Sequence, residues 1–212
     1  MLKITEIYPS IQGESSFAGY PCVFVRLTGC PLRCRWCDTA YAFEGGRDVP
    51  VAEIIEEVRK TGINMVELTG GEPLAQPGGY LLARSLVEAG FKVLIETGGS
   101  EPIDGLPAEV HVVMDIKCPG SRMEERNLWS NLAHLKPTDD VKFVLADRAD
   151  YDWALNVIRH KGIDKKANIL FSCAFGMVHP KDVAAWMVED KVTWRLQLQM
   201  HKYIWHPRTK GV

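Results

Sequence analysis

The stretch PVAEIIEEVRKTGINMVELTGGEP, residues 50–73, reads as a helix, a strand and a glycine-rich turn in immediate succession. In VAEIIEEVRK the apolar positions Val51, Ile54, Ile55 and Val58 recur at i, i+3, i+4 and i+7, one face of an α-helix, and Pro50 suits its opening turn. MVEL (65–68) then reads as a strand, and TGGEP (69–73) follows it. The same alternation runs along the chain. β-rich runs stand at 22–28 (CVFVRLT), 91–96 (FKVLIE), 109–115 (EVHVVMD), 141–145 (VKFVL), 168–172 (NILFS) and 194–199 (WRLQLQ). GYLLARSLVEAG reads as a helix capped by Gly90, and further helical patterns fit at about 122–134, 149–161 and 180–189.

Several of these strands are apolar on both sides, as expected of parallel strands covered by helices. The expectation is one α/β domain over residues 1–212 with a parallel sheet. At 212 residues the chain falls short of the roughly 250 of a full eight-unit barrel. Six to seven strands therefore suggest a partial, incomplete β/α barrel with about six parallel strands. Such folds carry their reactive residues on loops leaving the C-terminal strand ends. The chemically interesting residues fall there: a cysteine loop after 22–28, TGGEP after 65–68, TGG (97–99) after 91–96, and Lys117 after 109–115.

Composition narrows the ligand. Hydrophobic residues at 46% and charged residues at 25% are ordinary globular values, and the net charge is −2 with no block of like charge. That pattern argues against a nucleic-acid or membrane surface and for a small molecule. No apolar run approaches a membrane span and no secretory signal opens the chain. Six sparse cysteines in that setting read as reduced thiols of a cytoplasmic protein, not as three disulfides.

Three of those cysteines are crowded. In GCPLRCRWCDTAYAF (29–43), Cys30, Cys34 and Cys37 are spaced C-x3-C-x2-C. Read as buried small hydrophobes they make poor core patterning beside Gly29, Pro31 and two arginines. Structural zinc would need a fourth ligand, yet Cys22, Cys118 and Cys173 stand alone and no histidine lies within seventy residues after Cys37. A [4Fe–4S] cluster held by three thiolates would keep one iron open to a ligand, and an open iron means chemistry.

At this spacing the stretch resembles the radical S-adenosylmethionine (SAM) enzymes. The resemblance implies SAM chelated on the unique iron and reductively cleaved to methionine and a 5′-deoxyadenosyl radical. It places Trp36, Cys37 and Asp38 of the 30–39 loop beside the SAM, and Gly71 and Glu72 of GGEP at its amino group, where glycines let backbone approach the ligand. Glu96 is either a rim carboxylate or an acceptor for the ribose hydroxyls. Asp115, Ile116 and Lys117 would border the SAM, although a lysine there is most often a solvated or ion-paired rim residue. Phe171, Ser172, Cys173 and Ala174 would border it too, with Cys173 where related chains more often carry proline. Cys118 and Cys173 are most simply non-ligand thiols.

IYPSIQGESSFAGYPCVFVRLTGC (7–30), CDT (37–39) and LQMHKYIW (198–205) together resemble one family, the 7-carboxy-7-deazaguanine synthases of queuosine and deazapurine biosynthesis. Members contract 6-carboxy-5,6,7,8-tetrahydropterin to 7-carboxy-7-deazaguanine with loss of ammonia, regenerate SAM and use Mg2+. The resemblance implies a substrate pocket of Ile11, Gln12, Gly13, Glu14, Arg26, Thr69, His201 and the Val212 carboxylate, with the Thr39 hydroxyl on Mg2+. The residue types suit it, since Arg26 can bind a carboxylate bidentately and Glu14 can meet pterin amines. The implied chemistry is hydrogen abstraction from the carboxylated carbon, rearrangement of the ring and return of the hydrogen. An electron donor such as a flavodoxin or ferredoxin and a homodimer are implied as well. Taken singly, Arg26 could satisfy a core carboxylate, His201 could be a rim histidine, and Glu14 a solvated turn residue. The rivals are a glycyl-radical-enzyme activase and a non-enzymatic zinc or iron–sulfur module.

Overall fold

The computed structural model describes residues 1–212. Its single sheet has nine strands in the order β3-β1-β2-β4-β5-β6-β7-β8-β9. From β2 (Pro21–Leu27) the sheet runs parallel through β4 (Met65–Gly70), β5 (Lys92–Thr97), β6 (His111–Ile116), β7 (Asp140–Leu145), β8 (Asn168–Cys173) and β9 (Arg195–Gln197). That makes seven parallel strands, within the six to seven expected, the last being the three-residue β9 at the run 194–199. β3 and β9 do not pair, so the barrel stays open. The expected α/β partial barrel is the fold.

Two strands were not expected. β1 (Leu2–Ile11) runs antiparallel to β2, and β3 (Arg47–Val49) antiparallel to β1. The β1–β2 register slips between Ile4 and Glu6, leaving Thr5 as an extra residue. A bulge of one residue exchanges the faces of everything beyond it. Leu2 and Ile4 therefore join the core under the helices, while Glu6 and Tyr8 turn to the opposite face, beside Arg26.

Helices α1 (Val51–Lys60), α2 (Gly78–Glu88), α3 (Arg148–Lys161) and α4 (Pro180–Glu189) cover the outer face. Pro50 stands just ahead of the first turn of α1 with extended ψ, and Gly90, at φ +87°, follows α2 where a side chain would be strained. Asp147 caps α3 by accepting from the Asp150 amide at 3.0 Å. The helix expected at 122–134 is absent. Only short 3-10 turns stand there, at Glu124–Arg126 and Trp129–Ala133. The asparagines explain the difference: Asn127 brackets the backbone N–H and C=O of Lys117 at 2.8 and 3.0 Å, and Asn131 bonds the backbone of Ile103 and Glu101. Side chains that clamp neighbouring loops hold the segment in turns. A four-residue helix, α5 (His201–Ile204), follows β9.

The outer face of the sheet and its helices share one apolar cluster of 37 buried residues, whereas the inner face has an apolar ring of only four, Cys22, Phe24, Met65 and Leu94. Above that ring the inward positions turn polar, and there the barrel opens into a cavity.

Candidate active site

The cavity is about 660 Å3 and lies at the C-terminal ends of the parallel strands. Cys30, Cys34 and Cys37 line it, all free thiols. Their loop is fixed by its own backbone and by its neighbours. Arg33 donates to the Cys30 and Leu32 carbonyls at 2.7 Å, the Cys37 amide donates to the Cys34 carbonyl at 3.2 Å, and the Arg35 amide donates to the Ser121 carbonyl at 3.2 Å. Burial pushes the Cys30 and Cys34 thiols up, with the Lys117 ammonium pulling both back. No three histidine, cysteine, aspartate or glutamate side chains converge on one single-ion point. Structural zinc requires such convergence, whereas cluster thiolates each take their own iron.

The glycines of TGGEP serve this loop. A Cβ on Gly71 would stand 2.1 Å from the Gly29 carbonyl oxygen and 2.9 Å from the Cys30 Cβ, and one on Gly70, at φ +145°, 2.2 Å from the Leu27 carbonyl oxygen. Gly71 thus admits the backbone of the cysteine loop, and Gly70 that of the end of β2. Glu72 is fully buried and accepts from the Leu74 amide at 3.1 Å, Thr97 Oγ1 at 2.9 Å and the Gly98 amide at 2.7 Å. It ties the second loop to the third.

Lys117 donates to Asp115 Oδ2 at 2.8 Å. Burial disfavours the ammonium, but Asp115 outweighs it and raises the lysine pKa. Asp115 Oδ1 and Ser172 Oγ are buried without any protein partner. Of the two, Asp115 lines the cavity, and its orphaned oxygen calls for a polar ligand there. Of the residues expected beside SAM, Trp36, Asp38, Gly71, Glu72, Glu96, Asp115, Lys117 and Ala174 line the cavity. Ile116, Phe171 and Cys173 belong to the outer core, and Ser172 is fully buried. None of these four residues lines the cavity.

Ile11, Gln12, Gly13, Glu14, Arg26, Thr69 and His201 line the same cavity, as do Thr39 and Val212. Arg26 already has a carboxylate partner: Nε donates to Glu6 at 2.8 Å and Nη2 to the Tyr8 hydroxyl at 2.9 Å, leaving Nη1 for a ligand. Tyr41 also donates to Glu6, at 2.7 Å. Gly13 lets α5 approach, since a Cβ there would stand 2.9 Å from His201 Nδ1, and its carbonyl accepts from the Met200 amide at 3.1 Å. Thr39 Oγ1 lies 3.7 Å from Cys37 Sγ. The adjacent Asp38 takes the Lys202 ammonium at 2.6 Å, tying the cysteine loop to α5. Residues 207–212 complete the lining.

Two buried charges were missed in the sequence, Glu67 and Lys142. Lys142 donates to Glu14 at 2.6 Å and to Glu96; Gln12 donates to Glu67, and Gln199 to Glu14 at 3.2 Å. Glu96 is thus an ion-paired carboxylate lining the cavity. Burial, reinforced by the Glu96 charge, pushes the Glu67 carboxyl well above the carboxylate range. Burial acts the same way on Glu96, but Lys142 outweighs it and lowers that carboxyl. The available signal was one charged residue inside each of the runs MVEL and VKFVL, on the inward phase.

The profile of the radical SAM superfamily matches residues 24–114, from β2 through the cysteine loop and TGGEP to β6. A 7-carboxy-7-deazaguanine synthase of Koribacter versatilis is 46% identical over the whole of both chains. Another of Chlorobaculum tepidum is 47% identical over all of this chain and 97% of its own. The chain belongs to the 7-carboxy-7-deazaguanine synthase family. Of solved structures, QueE from Escherichia coli superposes with a TM-score of 0.78 at 23% identity over 94% of each chain, a match of fold. Family membership makes this a radical SAM enzyme with a [4Fe–4S] cluster and SAM, and sets aside the activase and zinc-module readings. The three free thiols on one cavity and the orphaned Asp115 oxygen fit those groups. No helix is long and apolar enough to cross a membrane.

Proposed function

We propose that this enzyme converts 6-carboxy-5,6,7,8-tetrahydropterin to 7-carboxy-7-deazaguanine with loss of ammonia, in the cytoplasm, where its thiols stay reduced. The observation that carries this reading is one cavity lined both by three free thiols and by Arg26, Glu14 and His201. Cys30, Cys34 and Cys37 hold the cluster. SAM is bordered by Trp36, Asp38, the Gly71–Glu72 backbone, Glu96, Asp115, Lys117 and the 171–174 backbone. When bound, cluster and SAM supply a 5′-deoxyadenosyl radical for hydrogen abstraction.

The remaining roles fall to side chains that bind and orient. Arg26, oriented by Glu6 and Tyr8, offers Nη1 to the pterin carboxylate. Glu14, held by Lys142 and Gln199, accepts from pterin amines. Gln12, Thr69 and the Ile11–Gly13 backbone border the ring, and His201 and the Val212 carboxylate close the far side. Thr39 offers a hydroxyl to Mg2+, which prefers oxygen ligands and keeps waters. The electron comes from a flavodoxin- or ferredoxin-type donor. The exposed Phe175, Met177, Leu198 and Tyr203, beside the open edge at β9, are the face we assign to a homodimer.

The test is anaerobic turnover of the reconstituted protein with SAM, reductant, Mg2+ and the pterin, read by mass spectrometry. Product with little net SAM consumption is expected. Cleavage of SAM to 5′-deoxyadenosine without deazaguanine product would discard the substrate assignment.

A further inference from the structure

Lys142 stands on the inner face of β7, 4% exposed, and its ammonium reaches two carboxylates from distant parts of the chain. Glu14 comes from the loop after β1 and Glu96 from the end of β5. Glu67 of β4 and Gln12 close the group from beneath, Gln12 donating to Glu67 and taking the Glu14 amide at 2.5 Å. Two carboxylates thus share one ammonium beside a third, buried carboxyl. Charges so placed are strongly felt by one another, because little water screens them.

On the reading of the site above, on which this inference rests, Glu14 faces the pterin and Glu96 the ribose of SAM. We propose that Lys142 is a positioning residue that couples the two subsites, one ammonium holding the substrate carboxylate and the cofactor carboxylate in register. A pterin that draws on Glu14 with its amines leaves more of the ammonium to Glu96. That fixes Glu96 where the ribose hydroxyls need it. SAM and pterin accordingly bind with positive cooperativity, and the effect is reciprocal because it is a coupling free energy. No contact between Lys142 and either molecule is required.

The test uses the cluster-loaded enzyme without reductant, so that nothing turns over. Calorimetry measures SAM affinity with and without saturating 6-carboxytetrahydropterin, for wild type, Lys142→Met and Glu14→Gln. The last keeps the Lys142–Glu96 pair and so retains a neutralised ammonium if Lys142→Met fails to fold. Wild type is expected to bind SAM about 10-fold tighter with pterin present, and both variants to bring that ratio near one. A purely structural role would weaken SAM binding equally with and without pterin, leaving the ratio intact, and that result overturns the proposal. Wild type that binds both molecules with a ratio near one overturns it too, while leaving the proposed reaction standing. Wild type that binds no pterin overturns the substrate reading and this inference with it.

Discussion

On β4, Val66 and Leu68 face the helices while Met65, Glu67 and Thr69 face the barrel interior, and the two rows obey different rules. The outer row is interchangeable in kind: any well-fitting hydrophobe fills it, because its contribution is area removed from water. The inner row is specific residue by residue, since each buried polar group depends on a named partner. Stability and chemistry are thus interleaved at every second residue of the same strands. Damage to one row should leave the other readable.

The sharpest break of that contrast is at the cysteines. Cys34→Ala is expected to lower turnover about 10^4-fold or more, as when one member of a catalytic unit is removed. Iron content should fall while circular dichroism stays unchanged. Gly71→Ala forces a methyl into the Gly29 carbonyl and should shift both loops. About a 100-fold loss of turnover is expected, the scale of a displacement near 1 Å, with a changed cluster spectrum. On the outer face, Leu68→Ala should cost about 3 kcal/mol of stability, seen as a lower Tm, with turnover per folded molecule preserved.

The smallest effect sharpens the contrast through pH. Glu67 has a raised carboxyl in the folded state, so it holds a proton that the unfolded chain releases at ordinary carboxylate pH. Its stabilising contribution is full below the unfolded value and is lost as pH rises toward the folded one. Glu67→Gln fixes the neutral state, so the mutant should lose less stability than wild type as pH rises above the carboxylate range. The slopes should differ by at most about 1.4 kcal/mol per pH unit. Thermal melts of the apoprotein across that range, coincident for the two proteins, would contradict the protonated Glu67.

What the sequence made legible follows the same division. Helix periodicity and β-rich runs placed α1 to α4 and the parallel strands, because one-sided burial leaves a period. β1 escaped because its bulge breaks the alternation, and β3 and α5 are too short to carry one. At 122–134 the apolar spacing was real, but Asn127 and Asn131 bind other loops instead of completing a helix. The cysteine loop and TGGEP were legible as motifs, being local in the chain. Lys142 was not: alone in VKFVL it looks like a strand residue, and the partners that define it lie 128 and 46 residues away.

The extra residue at Thr5 works like a phase shift in a two-beat signal. Everything before it is written for the hydrophobic side and everything after it for the aqueous one, so Glu6 and Tyr8 arrive beside Arg26 only because the count is odd there. Length, more than composition, is the information this strand carries. It will accept many exchanges of one side chain for another, yet removal of a single residue would turn its acid and phenol into the hydrocarbon interior and leave the Arg26 guanidinium unmatched.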